Sequence, residues 1–294
     1  MVEPAGPVGS TGSAAPSGLV LRAAAVTDIG LSRANNEDSA YVGRRLVVVA
    51  DGIGGMPAGE QASAIVVREL AALDPGGSPP STLPDAAPSA GESQHTGAVF
   101  EDGEPPTLRL VSLDAVDPAD PTAPLRAALA SANRKIRQLI ETDADTDAMG
   151  TTVTALLLAG EQVALLHVGD SRAYRLHDGA LTQITRDDTY VQTLVDEGLI
   201  TADEARNHPR RSVVMQAVQG LSYEPASIVL PAVPGDRYLL CSDGLSDVVS
   251  DKAIQGALEM EVDPGRCAQT LVRHALRGGG PDNVTVIVAD ILRS

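Results

Sequence analysis

The chain has 294 residues and a formal net charge of −17, long enough for one large or two ordinary domains. That charge argues against nucleic acid or anionic lipid as a partner, since both need Lys/Arg surfaces, and it would repel an anionic substrate unless bound cations reversed the local field. Hydrophobic residues make up 43% but aromatics only 2%, with no Trp, so a soluble globular core must be built from Ala, Val, Leu and Ile.

In chain order, residues 1–18 are Gly, Pro, Ser and Ala with little else, which cannot bury a core and predicts disorder. Ordered structure is expected from Leu19 to the C-terminus. Strand signals cover 21–26, 40–50, 152–158, 163–168, 173–176, 181–184, 227–230, 238–241 and 284–289. Helix signals cover 60–73, 125–140, 190–197, 251–258 and 264–276; in the second, Leu125, Leu129, Ile136, Leu139 and Ile140 mark one apolar face. Between 74 and 123 lies a Pro/Ser/Gly-rich acidic stretch, expected to be a disordered surface insertion, with Leu108–Val111 as one candidate strand inside it. Asp178-Gly179 is a hairpin signal. Connections this short imply antiparallel pairing, and helices fall between runs of strands, so the fold class is α+β.

Cys241 and Cys267 have neither zinc nor disulfide spacing and read as small buried residues. His167 lies in a strand and reads as packed core; the other histidines lack ligand spacing. No apolar run nears the roughly 20 residues needed to span a bilayer, and the N-terminus is not a secretory signal. A cytoplasmic location is therefore expected, either soluble throughout or with an anchor after the C-terminus.

Acidic stretches recur where the apolar runs end. Asp51, Asp170 and Asp243 follow β-prone runs, and Asp282 precedes the run that starts at Val284. Carboxylates at strand ends are held rigidly at a sheet rim, and hard cations such as Mg²⁺ or Mn²⁺ take oxygen ligands at fixed distances. One such Asp is a common turn residue; several together point to a metal centre. Gly52 to Gly55 is not a nucleotide loop, because no Lys-Ser/Thr follows and a Rossmann fingerprint does not fit.

Six ordered blocks carry a resemblance: Asp28-Ile29-Gly30 through Asn36-Glu37-Asp38, Ala50-Asp51-Gly52-Ile53-Gly54-Gly55, Met149-Gly150-Thr151-Thr152, His167-Val168-Gly169-Asp170-Ser171-Arg172, Ser242-Asp243-Gly244-Leu245 and Gly280-Pro281-Asp282-Asn283-Val284-Thr285. Their series resembles that of the type-2C, metal-dependent serine/threonine protein phosphatases, over about residues 21–291. Gln183 to Val195 and Arg210-Arg211-Ser212 are similar to the bacterial branch, especially the PstP-type enzymes that oppose transmembrane Ser/Thr kinases. The resemblance implies a four-layer α-β-β-α sandwich, two antiparallel sheets flanked by helices, with a two-metal centre at one end. Asp51 would bridge both Mn²⁺ or Mg²⁺ ions, Asp243 and Asp282 would complete the first, and the Gly52 carbonyl and Glu37 (through water) would serve the second. Water shared by two such ions loses its proton near neutral pH, and the ions also neutralise phosphoryl oxygens. Arg33 would bind phosphate with its planar fork. Asp170 with Asp243, and Ser212 from a flap at 185–212, would make a third metal site; Asp38 and Asn283 would orient the ligands.

The implied partners are phosphorylated proteins, namely Ser/Thr kinases and their substrates, and nothing demands assembly beyond a monomer. Two departures stand out. Ile53 occupies the place where many eukaryotic members have a histidine proposed as general acid, and Met56-Pro57-Ala58 stands where PstP-type chains commonly read His-Ala-Ala. A non-catalytic relative would be expected to lack a ligand carboxylate, and a nuclease would need a basic surface.

Overall fold

The computed structural model describes residues 18–54, 58–77, 81–82, 116–143, 146 and 149–294. Strands β1 (Leu19–Asp28), β2 (Ser39–Val42), β3 (Leu46–Ala50) and β4 (Gly52–Ile53) lead into helix α1 (Ala58–Ala71). After β5 (Ser81–Thr82) and α2 (Ala123–Thr142) come β6 (Gly150–Thr151), β7 (Val153–Ala159), β8 (Gln162–Val168), β9 (Arg172–His177) and β10 (Ala180–Gln183). Helices α3 (Tyr190–Asp196) and α4 (Ala202–Arg206) precede β11 (Ala226–Pro231) and β12 (Arg237–Cys241). The chain closes with α5 (Asp243–Ser246), α6 (Asp251–Met260), α7 (Pro264–Arg277) and β13 (Val284–Arg293).

Two sheets result, ordered β10-β9-β12-β13-β1-β5 and β11-β8-β7-β3-β2, with β4 and β6 as a small separate pair. Alternation along the central strands explains the layering. Val47 and Val49 of β3 meet Tyr238 and Leu240 of β12 and Ile287 and Ala289 of β13 between the sheets. The opposite β3 residues, Leu46, Val48 and Ala50, pack under α1 and α2. Leu239 and Cys241 of β12 and Val284, Val286 and Val288 of β13 pack under α6 and α7. Strands covered on both faces read as near-continuous hydrophobic runs: β3 is apolar throughout, and β12 is so from Tyr238 to Cys241, after Arg237. The expected four-layer α+β sandwich is the observed fold.

Details differ from expectation. The run 40–50 is a hairpin, β2 to β3, in which the Gly43 amide donates to Leu46 O at 2.7 Å. Glycine is needed there because a Cβ would stand 2.4 Å from the Asp74 carboxylate. Asp74, expected to open a disordered insertion, is 7% exposed, and its Oδ2 accepts from the Arg45 amide at 2.6 Å and the Leu46 amide at 3.0 Å. Of the expected insertion, residues 74–77, 81–82 and 116–123 are described, while Leu108–Val111 and residues 1–17 lie outside the described residues. β5 pairs with β1 in parallel, the exception to antiparallel pairing. Helices α4 and α5, of five and four residues, are too short to show periodicity in sequence. The Asp178-Gly179 turn forms as read, with positive φ at both residues. Cys241, Cys267 and His167 are buried; His167 Nδ1 shares a hydrogen bond with Thr154 Oγ1 at 2.9 Å.

One side chain ties the second sheet–helix layer together. Arg237 Nε and Nη2 donate to the two Asp290 oxygens at 2.6 and 2.9 Å, and Nη1 and Nη2 donate to Leu258 O and Val262 O at the end of α6 at 2.9 and 2.7 Å. Breaking a buried pair leaves an uncompensated charge. Arg237→Met should therefore lower the unfolding free energy by about 3–5 kcal/mol in urea titrations; a loss indistinguishable from zero would show that these bonds are dispensable.

Candidate metal centre

Antiparallel pairing places the last residue of β3, the last of β8 and β12, and the first of β13 at one rim of the sandwich. β1 ends there too, because Asp28 pairs with Val284, so the loop carrying Arg33, Glu37 and Asp38 starts at the same rim. The result is one open cavity of about 500 Å³ whose walls include Arg33, Glu37, Asp51, Gly52, Asp170, Ser212, Asp243 and Asp282. Residues separated by up to 249 positions are thus brought together: Arg33 Nη2 donates to Asp282 Oδ2 at 2.6 Å.

Backbone hydrogen bonds and small residues hold the walls. Asn283, 4% exposed, accepts the Glu37 amide at 2.8 Å and donates through Nδ2 to Ile29 O at 2.9 Å and Asn35 O at 2.8 Å. It clamps the Arg33–Glu37 loop onto the start of β13. Ser242 Oγ donates to Asp38 Oδ2 at 2.8 Å and accepts the Thr285 amide at 2.9 Å, joining that loop to β12 and β13. The Asp51 amide donates to Thr152 Oγ1 at 3.1 Å, while Thr152 N and Thr151 Oγ1 both donate to Asp51 O at 2.8 Å. Gly52 has no side chain for a packing reason: a Cβ would lie 2.3 Å from Gly59 O and 2.8 Å from Glu37 O. Asp38 and Asn283 do not line the cavity and tie the Arg33–Asp38 loop to β12 and β13 from behind it.

Electrostatics set this rim apart. Desolvation, followed by the Asp38, Asp243, Asp170 and Asp282 charges, raises the Asp51 carboxyl well above its ordinary range. Asp243 is raised well above its range by desolvation and then by Asp170, Asp247, Asp282 and Asp38. Burial pushes Asp38 to about 6 and Asp170 to about 7, the latter helped by Asp187 and Asp247. Asp38 Oδ1 and Asp243 Oδ1 are buried oxygens without a hydrogen-bond partner. Unpaired carboxylate oxygens among like charges are a site built for cations. As the side chains lie, however, no group of three His, Cys, Asp or Glu residues among those described stands ready to hold an ion. The carboxylates face a shared space instead of closing on one point, and one Asp282 oxygen is taken by Arg33.

Some features were not read from the sequence. Asp247 follows Asp243 by four residues, one helical turn along, and joins it at both the main cavity and a neighbouring one of about 270 Å³ beneath α3 and α4. That i,i+4 spacing was the available signal. Arg172 makes a bidentate ion pair with Asp187 (Nε–Oδ1 2.9 Å, Nη2–Oδ2 2.6 Å), fixing the base of the 185–212 flap beside Asp170. Arg211 lies 3.5 Å from Asp247, which brings Ser212 to the cavity mouth.

Residues 32–265 match the family described as Protein phosphatase 2C. The chain belongs to that family. Over 274 residues it is 48% identical to the serine/threonine protein phosphatase PstP of Mycobacterium tuberculosis (strain ATCC 25618 / H37Rv), covering 93% of this chain and 46% of that protein. It thus spans about half the length of this protein phosphatase 2C relative. The serine/threonine phosphatase stp of Listeria welshimeri is 31% identical over 271 residues, 90% of this chain and 93% of its own. The crystal structure of M. tuberculosis PstP/Ppp superposes with a TM-score of 0.77 at 47% identity, covering 94% of this chain and all of that one. A PstP catalytic-domain structure in complex with two manganese ions gives a TM-score of 0.75 at 46% identity, over 93% and 99% of the two chains. Among the described residues, no helix is long and apolar enough to cross a membrane.

The raised carboxyls bind their protons more tightly in the folded chain than in the unfolded one. The stability they contribute is complete below their ordinary value of 3.8 and is lost as pH rises through about 6 for Asp38 and about 7 for Asp170. Asp243→Asn removes one of the repelling charges, so in EDTA its Tm should exceed wild type at pH 8 by about 2–4 °C per kcal/mol relieved and should converge with it near pH 4. A lower Tm than wild type at pH 8 would contradict this electrostatic picture.

Proposed function

We propose that this protein is a metal-dependent serine/threonine phosphoprotein phosphatase that acts opposite Ser/Thr kinases. The observation that carries the reading is the meeting of Asp51, Asp243 and Asp282 at one cavity in a protein phosphatase 2C chain. Orphaned oxygens on Asp38 and Asp243, and the mutual repulsion of Asp51 and Asp243, fit divalent cations as the missing partners. Mn²⁺ or Mg²⁺ are the ions expected of an all-oxygen site, and manganese is present in the PstP catalytic-domain structure. Asp51 would be shared by two ions, Asp243 and Asp282 would complete one, and the Gly52 carbonyl and Glu37 would serve the other. Asp170 with Asp243, and Ser212 from the flap, would hold a third. When bound, such ions would acidify a water and neutralise charge on phosphoryl oxygens.

The chain's own residues do the rest. Rigid strand ends fix the carboxylates, and Asn283 and Ser242 keep the Arg33–Glu37 loop against them. Arg33, half exposed at the cavity wall and paired with Asp282, would meet phosphate oxygens with its planar fork. The flap from 185 to 212 covers one side and controls access. Substrates are phosphoserine and phosphothreonine proteins, and no Ser, Cys or His nucleophile is required. We take residues 19–294 as one catalytic domain with a surface insertion within 74–123, acting as a cytoplasmic monomer in signal transduction.

Turnover of p-nitrophenyl phosphate and of a phosphothreonine peptide should require added Mn²⁺, and a phosphotyrosine peptide should be a poor substrate. Asp243→Asn should abolish Mn²⁺-dependent turnover; near-wild-type rates would overturn the reading. Arg33→Ala removes phosphate binding in ground and transition states alike, so KM should rise with kcat little changed; an unchanged KM would exclude the phosphate role.

Metal loading should also appear in stability. Protons compete with cations for the raised carboxyls, so the Tm gain from saturating Mn²⁺ should be larger at pH 8 than at pH 5.5. Equal gains at both values would place the ions elsewhere.

A further inference from the structure

One wall of the main cavity is a strap of irregular backbone, residues 211–219, whose Val214, Met215, Ala217 and Gln219 face the space. No ladder holds it; between its ends Gln216 Nε2 donates to Asp188 Oδ1 at 3.3 Å while Gln216 Oε1 accepts the Glu224 amide at 3.0 Å, and backbone bonds pin the ends themselves. At the first, the Tyr190 amide donates to Val213 O at 2.9 Å and the Met215 amide to Asp188 O at 2.7 Å. At the second, Val218 exchanges two backbone bonds with Thr151, at 3.1 and 2.9 Å, and the chain then turns at Gly220.

That turn is gripped by helix α2 on the far side of the site. The Gly220 amide donates to Asn133 Oδ1 at 2.7 Å, Asn133 Nδ2 donates to Leu221 O at 2.8 Å, and Arg137 Nε donates to Gly220 O at 2.5 Å. Asn133 is only 9% exposed and sits mid-helix, where Asn is a poorer helix former than Ala. Its polar side chain is instead satisfied by the turn's backbone. Gly220 has φ +77°, and a Cβ there would lie 2.9 Å from Arg137 Cα, so backbone and helix meet without room for a side chain. Beyond its Val218–Thr151 bonds, the far end of the strap therefore takes its position from α2.

We propose that Asn133 is a positioning residue for the phosphoprotein substrate. By latching the Gly220–Leu221 turn to α2, it fixes the strap as the surface on which the peptide flanking the phosphorylated residue lies. Exposed Met215 and Val213 give that surface an apolar character, suited to backbone and apolar side chains of a polypeptide. A small aryl phosphate has no flanking chain and does not need the wall. The inference rests on the phosphatase reading above, and the two are separated by the choice of substrate.

The test is a comparison of a phosphothreonine peptide with p-nitrophenyl phosphate, both with saturating Mn²⁺. Asn133→Ala should raise KM for the peptide about tenfold while kcat and KM for p-nitrophenyl phosphate stay within about twofold of wild type. Gly220→Ala attacks the same latch from the opposite side and should give the same split. If Asn133→Ala does not fold, Gly220→Ala and Arg137→Met decide the matter by the same criterion. Equal losses on both substrates, or an unchanged peptide KM in a folded variant, would overturn the positioning role while leaving the phosphatase reading intact. Absence of Mn²⁺-dependent p-nitrophenyl phosphate turnover in wild type would overturn both.

Discussion

Carboxylates that crowd one desolvated rim cannot all be ionised without a cation among them, and much of this molecule is organised around that constraint. Burial raises the proton affinity of both Asp51 and Asp243, and the charges of Asp38, Asp170 and Asp282 add to it on each, with Asp243 acting on Asp51 and Asp247 on Asp243. In water such groups would separate. Here each is fixed to the end of a strand or to a loop tied to one, so the repulsion is built in at folding. The conflict can be relieved by protonation at low pH or by divalent cations at neutral pH, and only the second leaves the carboxylates as anions.

What permits the arrangement is the rigidity behind it. β3 and β12 are buried at every position, and their Cα partners are fixed by β7, β9 and β13. The polar layer next to the rim is small: Asn283, Ser242 and Thr152 spend their side-chain hydrogen bonds on backbone, on Asp38 and on Ser171. Packing therefore supplies the energy and hydrogen bonds supply the register. The flap side follows a different rule, with short helices, an Arg172–Asp187 ion pair at its base and a strap pinned at its ends. A stiff acidic floor thus faces a wall held by fewer elements.

Much of the floor was legible in the amino-acid order. A β-prone apolar run ending in Asp-Gly fixes both the strand and the outward direction of its last carboxylate, so Asp51 and Asp243 could be read locally. The motif series then supplied Glu37, Arg33 and Asp282, whose proximity depends on β1 pairing with β13 across more than two hundred residues. Non-local consequences were not readable. The Arg33–Asp282 pair needs that register, and Asp74 reads as loop composition until the β2–β3 hairpin supplies two amides for its carboxylate. Asn133 looks like an ordinary polar position on a helix until the Gly220 turn packs against it. Short elements such as α4 and α5 give too few residues for a period to emerge.

The central claim is that remote aspartates share a pair of cations at the rim. It is tested most directly by anomalous diffraction at the manganese edge from crystals of this protein grown with Mn²⁺. The account predicts two strong peaks in the main cavity, with Asp51 contacting both and Asp243 and Asp282 contacting one. Peaks confined to surface carboxylates away from the cavity, or an empty cavity at saturating Mn²⁺, would contradict it.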